Sequence, residues 1–282
     1  MAVRTIGIVG AGTMGSGIAQ ISATAGLNVI LVDVSEAAVD KGIATVACNL
    51  ARLAARGTLS AADKDAALSR INRSATYDAL RPADIVIEAA PESFELKVKV
   101  LKQIDPLVRA DAIVASITSS VSITKLAATV SHPERFIGMH FFNPVPAMAL
   151  VEIVRGLQTS DATHDIVEAL AEKLGKTPIT VKSSPGFVVN RILLPMLNEA
   201  FFVLAEDDAN PTEIDDGMKL GCNHPIGPLA LADLIGLDVL LSVMQTIHAE
   251  FGDSKYRPAP LLKEMVAAGY LGRKSGRGVY RY

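Results

Sequence analysis

Apolar positions in the first two thirds of the chain fall into short continuous runs: "RTIGIVG" at 4–10, "NVILVD" at 28–33, "DIVIEAA" at 84–90, "AIVASI" at 112–117 and "RFIGMHFF" at 135–142. Unbroken rather than alternating apolar character predicts strands covered on both faces, as in a parallel sheet flanked by helices. Stretches rich in Ala, Leu and Lys with helical period separate most of these runs, so a doubly wound α/β domain is expected. Between Ser35 and Ser74 the chain is longer than one crossover requires, and "SEAAVDKGIATVACNLARLAARG" and "SAADKDAALSRI" each read as a helix. A helical hairpin protruding from the sheet follows, spanning about 35–74 with Gly57 and Thr58 between its arms. Two later runs, "ALVEIVRG" and "TPITVKSS", bracket the helix "DIVEALAEKLG" and carry the alternation to Ser184.

Beyond Pro185-Gly186 the strand-like runs stop and Leu/Ala-rich helical sequence takes over, with a first helix expected to begin at Gly186 and to carry Asn190 inside it, where helix propensity gives no reason for an asparagine. The dipeptide is a natural junction, which predicts one domain over 1–184 and an all-helical C-terminal domain over 185–282. Apolar helices on a body of about 100 residues invite burial against a second copy of the chain. The richest apolar stretch, "PIGPLALADLIGLDVLL", is interrupted by Asp233 and Asp238. It falls short of the ~20 apolar residues that cross a bilayer and reads as buried helix, not as a membrane segment.

Composition narrows the classes further. The 282 residues are 50% hydrophobic and 20% charged, and 27 Lys plus Arg against 30 Asp plus Glu leave a net charge of −3. Without a long basic run, a nucleic acid is not the expected partner. Cys48 and Cys222 have no Cys-x-x-Cys or Cys/His spacing, so neither a disulfide framework nor a zinc site is expected. The opening "MAVRTIGIVGAG" lacks a signal-peptide pattern, and a cytoplasmic protein is the default expectation.

Chemistry enters with "GIVGAGTMGSGIAQ". Gly10, Gly12 and Gly15 form a G-x-G-x-x-G array after a predicted strand and before a predicted helix, with Thr13 and Met14 inside it. The first glycine allows the tight turn, the second the approach of a pyrophosphate, and the third close packing of helix on strand. Free N–H groups at the helix start then face the phosphates. The next strand ends in Asp33, 18 residues past Gly15, where a carboxylate accepts the ribose hydroxyls of an adenosine. Asp33 also reads as a helix cap beside Ser35. An acid there repels a 2′-phosphate, and no Arg follows in "DVSEAAVD", so a Rossmann-type domain binding NAD, not NADP, is expected.

After the fourth of these runs, "SITSSVSIT" gathers Ser116, Thr118, Ser119 and Ser120 near the carboxyl edge of the sheet, as ligand groups or as caps for a helix starting near Ser122. His140 ends the next strand on the same edge. Alone it reads first as a packed strand-end residue, and Glu152 has a second reading as an exposed charge on an edge strand. The intervening "NPVP" forces a turn, and a turn before "ALVEIV" can return Glu152 to His140. A carboxylate on one imidazole nitrogen fixes the tautomer, and the other nitrogen can take a proton from a substrate hydroxyl.

Together "GAGTMGSGIAQ", "HFFNPVPAMALVEIV", "SPGFVVNRILLPMLNEA", "GCNHPIGPLALADLIGLD" and "GRKSGRGVY" resemble, in order and over residues 4–282, the short-chain 3-hydroxyacyl-CoA dehydrogenase family, particularly its bacterial 3-hydroxybutyryl-CoA members. The resemblance implies a homodimer formed through the C-terminal domain and NAD-dependent interconversion of (S)-3-hydroxyacyl-CoA and 3-oxoacyl-CoA. It implies that His140 is the acid/base and Glu152 its partner, and that Ser119 and Asn190 bind the reacting oxygen and the thioester end. Asp33, Glu92, Lys97, Ser119, Asn143 and Lys274 match positions that contact the dinucleotide. Two departures stand out: Ile117 occupies a position where the family has Asn, and the hairpin offers only Arg52 and Arg56 where relatives carry several lysines toward CoA phosphates. Ile117 motivates an alternative, a catalytically impaired NAD-binding relative of the same fold.

Overall fold

The structure, a computed structural model, describes residues 2–282. The chain divides into two compact units, Met1–Ser184 and Pro185–Tyr282.

The first unit is built on strands β1 (Thr5–Val9), β2 (Asn28–Val32), β3 (Ile71–Ser74), β4 (Ile85–Glu88), β5 (Ile113–Ser116), β6 (Phe136–Phe141), β7 (Leu150–Arg155) and β8 (Thr177–Lys182), in the order β3-β2-β1-β4-β5-β6-β7-β8. The first six pair in parallel, β6 and β7 pair antiparallel, and β7 and β8 pair in parallel. The sheet is therefore mixed, because the short turn after β6 leaves no room for a crossover. Helices α1 (Thr13–Thr24), α2 (Glu36–Ala55), α3 (Ala61–Ser69), α4 (Phe94–Ile104), α5 (Ile123–Ala127) and α6 (Asp161–Lys173) connect the strands. Every residue of β4, β5 and β6 is buried, which is why those runs are apolar without alternation. The core joins Ile6, Ile8, Val29, Leu31, Ile85 and Ile87 of the strands to Ile18 of α1 and Val46 and Leu50 of α2.

The helical hairpin corresponds to α2 and α3, each capped by a serine: Ser35 accepts from the Ala38 N–H and Ser60 from the Asp63 N–H. It is shorter than the 35–74 expected. The helix ends at Ser69, and residues 71–74 form β3. β3 lies at the sheet edge with Asn72 and Arg73 exposed, so it lacks the apolar run that marks a covered strand.

The second unit comprises α7 (Val189–Ala205), α8 (Pro211–Cys222), α9 (Pro228–Ile235), α10 (Leu237–Phe251) and α11 (Pro260–Ala267). Its core gathers Leu197, Phe201, Leu229, Leu237, Leu240, Met244, Ile247 and Leu262. The apolar stretch expected as buried helix forms two helices, α9 and α10, bent by 96°. Gly236 sits at the break with φ +105°, a conformation that favours glycine. No single helix among the described residues is long and apolar enough to cross a membrane.

Candidate active site

One register row crosses the middle of the sheet: Val9 pairs with Glu88, Glu88 with Ser116 and Ser116 with Gly138. The glycine turn after Val9, the loop after Glu88, the serine loop after Ser116 and His140, two residues past Gly138, therefore share the carboxyl edge of the sheet. Ligands bind at this edge in open α/β sheets.

Gly10 has φ +110°, and a Cβ there would lie 2.5 Å from the Ala89 carbonyl oxygen. At Gly15 a Cβ would lie 1.8 Å from the Gly10 carbonyl oxygen, so α1 packs on the turn only as glycine allows. At Gly12 a Cβ would meet no protein atom within 4 Å. The protein does not need glycine at that position for packing, whereas a ligand pressed against the backbone does. Gly12 caps α1 without a side-chain bond, and no acid occupies the first turn, which suits an anionic ligand at the helix start. Thr13 is exposed and Met14 half-buried. Asp33 accepts from the Ala11 N–H and the Val34 N–H, both at 2.6 Å. The helix cap beside it is Ser35 instead, so Asp33 ties the glycine turn to the end of β2. These features fit a dinucleotide.

On the other side of the edge, His140 and Glu152 are directly opposite each other on antiparallel β6 and β7. His140 Nδ1 lies 2.6 Å from Glu152 Oε2, with Glu152 0% and His140 5% exposed. The Phe142 ring packs against the imidazole at 4.6 Å between centroids. A buried carboxylate beside Nδ1 selects the tautomer with the proton on Nδ1. The connecting turn holds the exposed Asn143, joined to Pro144 by a cis peptide.

The serine loop is organised by Glu92. Its Oε1 accepts from the Thr118 hydroxyl (2.6 Å), the Ser119 N–H (2.9 Å) and hydroxyl (3.2 Å), and the Ser120 N–H (2.9 Å) and hydroxyl (2.8 Å). Burial pushes the Glu92 carboxyl up, but the Lys97 charge and the bonds from Thr118, Ser120 and Ser119 outweigh it and hold it below the usual range. Helix capping does not explain these hydroxyls, since Ser122 itself caps α5. Beneath the loop, Lys97 is fully buried, bonded to Glu88 at 3.0 and 3.1 Å and to the Ala90 carbonyl at 3.1 Å, and 3.5 Å from Glu92. It is neither a solvated charge nor an open ligand group. Glu88 also accepts from the Ser116 hydroxyl at 2.6 Å and the Ala90 N–H at 2.6 Å. Glu88 is marked in the sequence only as a carboxylate within an otherwise apolar run. Ile117 is half-buried and packs on the core of the first unit.

Arg52 and Arg56 are exposed at the end of α2. Asn190 and Lys274 belong to the second unit. Asn190 is half-buried and is the second residue of α7, which starts at Val189, not at Gly186 as expected. It therefore stands in a first helical turn. Lys274 is exposed and paired with Asp238 at 2.5 Å.

Fold and site define a class: a Rossmann-type dinucleotide-binding protein with a buried His–carboxylate pair at its ligand edge. Residues 5–184 match the family model of the 3-hydroxyacyl-CoA dehydrogenase NAD binding domain, and residues 186–282 that of the 3-hydroxyacyl-CoA dehydrogenase C-terminal domain. The chain belongs to the 3-hydroxyacyl-CoA dehydrogenase family. It is 51% identical to a probable 3-hydroxybutyryl-CoA dehydrogenase of Bacillus subtilis over 282 residues, covering 100% of this chain and 98% of the relative. A 3-hydroxybutyryl-CoA dehydrogenase of Bradyrhizobium diazoefficiens is 50% identical over 280 residues, covering 99% of this chain and 96% of the relative. The crystal structure of the (S)-3-hydroxybutyryl-CoA dehydrogenase of Ralstonia eutropha superposes with a TM-score of 0.98 at 68% identity, covering 100% of this chain and 99% of that one.

Proposed function

We propose that this protein interconverts (S)-3-hydroxyacyl-CoA, in particular (S)-3-hydroxybutyryl-CoA, and the 3-oxoacyl-CoA, using NAD. The observation that carries the reading is the buried 2.6 Å contact between His140 and Glu152 on the same sheet edge as the glycine turn.

NAD, when bound, supplies the acceptor for the hydride that leaves C3 of the hydroxyacyl chain. His140 takes the proton of the C3 hydroxyl at Nε2, and the carboxylate of Glu152 on Nδ1 offsets the charge of the resulting imidazolium. In the reverse direction the imidazolium returns that proton to the carbonyl oxygen. Ser119 and Asn190 hydrogen-bond the reacting oxygen and the thioester end. Gly10, Gly12, Thr13, Met14 and Gly15 hold the pyrophosphate at the start of α1, and Asp33 accepts the adenosine ribose hydroxyls. Glu92, Ser119, Asn143 and Lys274 complete the dinucleotide site, with Lys97 acting through Glu92 because it has no exposed surface. Arg52 and Arg56 face the CoA phosphates. A cytoplasmic homodimer through the helical unit fits the exposed Ile192, Leu220 and Leu234 there, and the reaction suits butyrate or fatty-acid metabolism.

The test is the loss of NADH absorbance when purified protein meets acetoacetyl-CoA, repeated with NADPH. Turnover with NADH and at least tenfold less kcat/KM with NADPH is expected from the Asp33 carboxylate. Absence of turnover over short and medium acyl chains overturns the reading.

A further inference from the structure

Lys176 lies between α6 and β8, outside every group described so far. Gly175, with φ +72°, ends α6, and the N–H groups of Gly175 and Lys176 return to the carbonyls of Glu172 and Ala171. Such a pair of hydrogen bonds closes a helix C-terminus and fixes the direction of the residue that follows. From there the Lys176 side chain runs inward: the residue is 8% exposed, and Nζ donates to the Val145 carbonyl at 2.6 Å and the Met148 carbonyl at 2.7 Å. Both partners are carbonyl oxygens, and no carboxylate among the described residues pairs with it. Burial pushes the Lys176 ammonium below the ordinary lysine range. Holding this charge inside the protein costs stability that an apolar side chain of similar size would not.

Both acceptors belong to the turn that joins β6 to β7. This turn carries Asn143, and its length sets the register in which Glu152 meets His140. Pro144 receives the N–H groups of Ala147 and Met148, so the turn is folded on itself. Its inner side rests on α1: Val145 is 2% exposed, and a Cβ on Gly17 would lie 2.8 Å from Val145 Cβ. The turn is thus clamped between the nucleotide helix on one side and the Lys176 ammonium on the other. Lys176 is also next to Thr177, whose N–H donates to Ala149 and whose register partner is Leu150 of β7.

We infer that Lys176 is a positioning residue for the reaction: it pins the β6–β7 turn through two carbonyls and so holds the Glu152–His140 pair and Asn143 in place relative to α1. The inference rests on the proposed dehydrogenase reading. Small displacements of reacting groups cost up to about 100-fold in rate, so a device that fixes this turn is reflected in turnover more than in folding.

The experiment is steady-state reduction of acetoacetyl-CoA by wild type, K176M and K176R, with NADH affinity measured separately by fluorescence and folding by thermal melting. The wild-type rate comes first, because its absence overturns the dehydrogenase reading and not the clamp. With the wild type active, K176M is expected to lose roughly 10- to 100-fold in kcat while melting as a folded protein and binding NADH within about threefold of wild type. K176R, which keeps a charged donor to both carbonyls, is expected to recover most of that loss. If K176M does not fold, K176Q replaces it with the same expected direction. A folded, NADH-binding K176M or K176Q with kcat within threefold of wild type overturns the inference, as does a loss of kcat that K176R does not lessen.

Discussion

Glu92 concentrates five donors from three consecutive residues on one oxygen, with a buried lysine behind its other oxygen. Its carboxyl is held below the usual glutamate range, so the folded state binds that proton less readily than the unfolded chain. The resulting contribution to stability is fully present above the ordinary glutamate pKa and is lost as pH falls through the lower, folded one. Glu92→Gln is therefore expected to melt lower than wild type at neutral pH, with the gap closing on acidification below the ordinary glutamate range. Melting temperatures over a pH series check this, and a gap independent of pH would contradict it. The pairing of His140 with Glu152 was legible in the chain because Pro144 and Pro146 force a turn and the two flanking runs are long enough to pair. The setting of Lys97, Lys176 and Glu88 was not, because a lone charge in a sequence reads as solvated until the elements that bury it are known.

Between β1 and α1 the geometry leaves little latitude. Gly15→Ala would drive a methyl to within 1.8 Å of the Gly10 carbonyl, so the turn or the helix must shift. NADH affinity is expected to fall by at least tenfold, with the sheet intact by circular dichroism. Unchanged affinity in a titration would show that the third glycine is not needed for the cradle. The covered strands were legible as elements because burial on both faces leaves a continuous apolar run. β3 was hidden since half of its four residues point to solvent at the sheet edge. The start of α7 lies later than the sequence suggests because Gly186 and Phe187 take positive φ and delay the helix to Val189. Asn190 thereby moves from a helix interior, where its presence called for a reason, to a first turn, where asparagine is ordinary.

At the scale of the molecule, an α/β unit and a helical unit were legible in the change of texture at Pro185-Gly186. Two apolar helices were less so, because only the φ of Gly236 reveals that "LADLIGLDV" breaks between α9 and α10. Ile117 fills its position as an apolar contact on the first unit's core, and the His140–Glu152 contact is formed in the same protein. A working dehydrogenase whose proton transfer depends on one imidazole is therefore expected. The most direct measurement is the kcat of His140→Gln for NADH-dependent reduction of acetoacetyl-CoA beside its NADH affinity. A fall of about 10²- to 10⁴-fold in kcat with NADH affinity unchanged is expected, and a variant that turns over at the wild-type rate would rule out His140 as the acid/base.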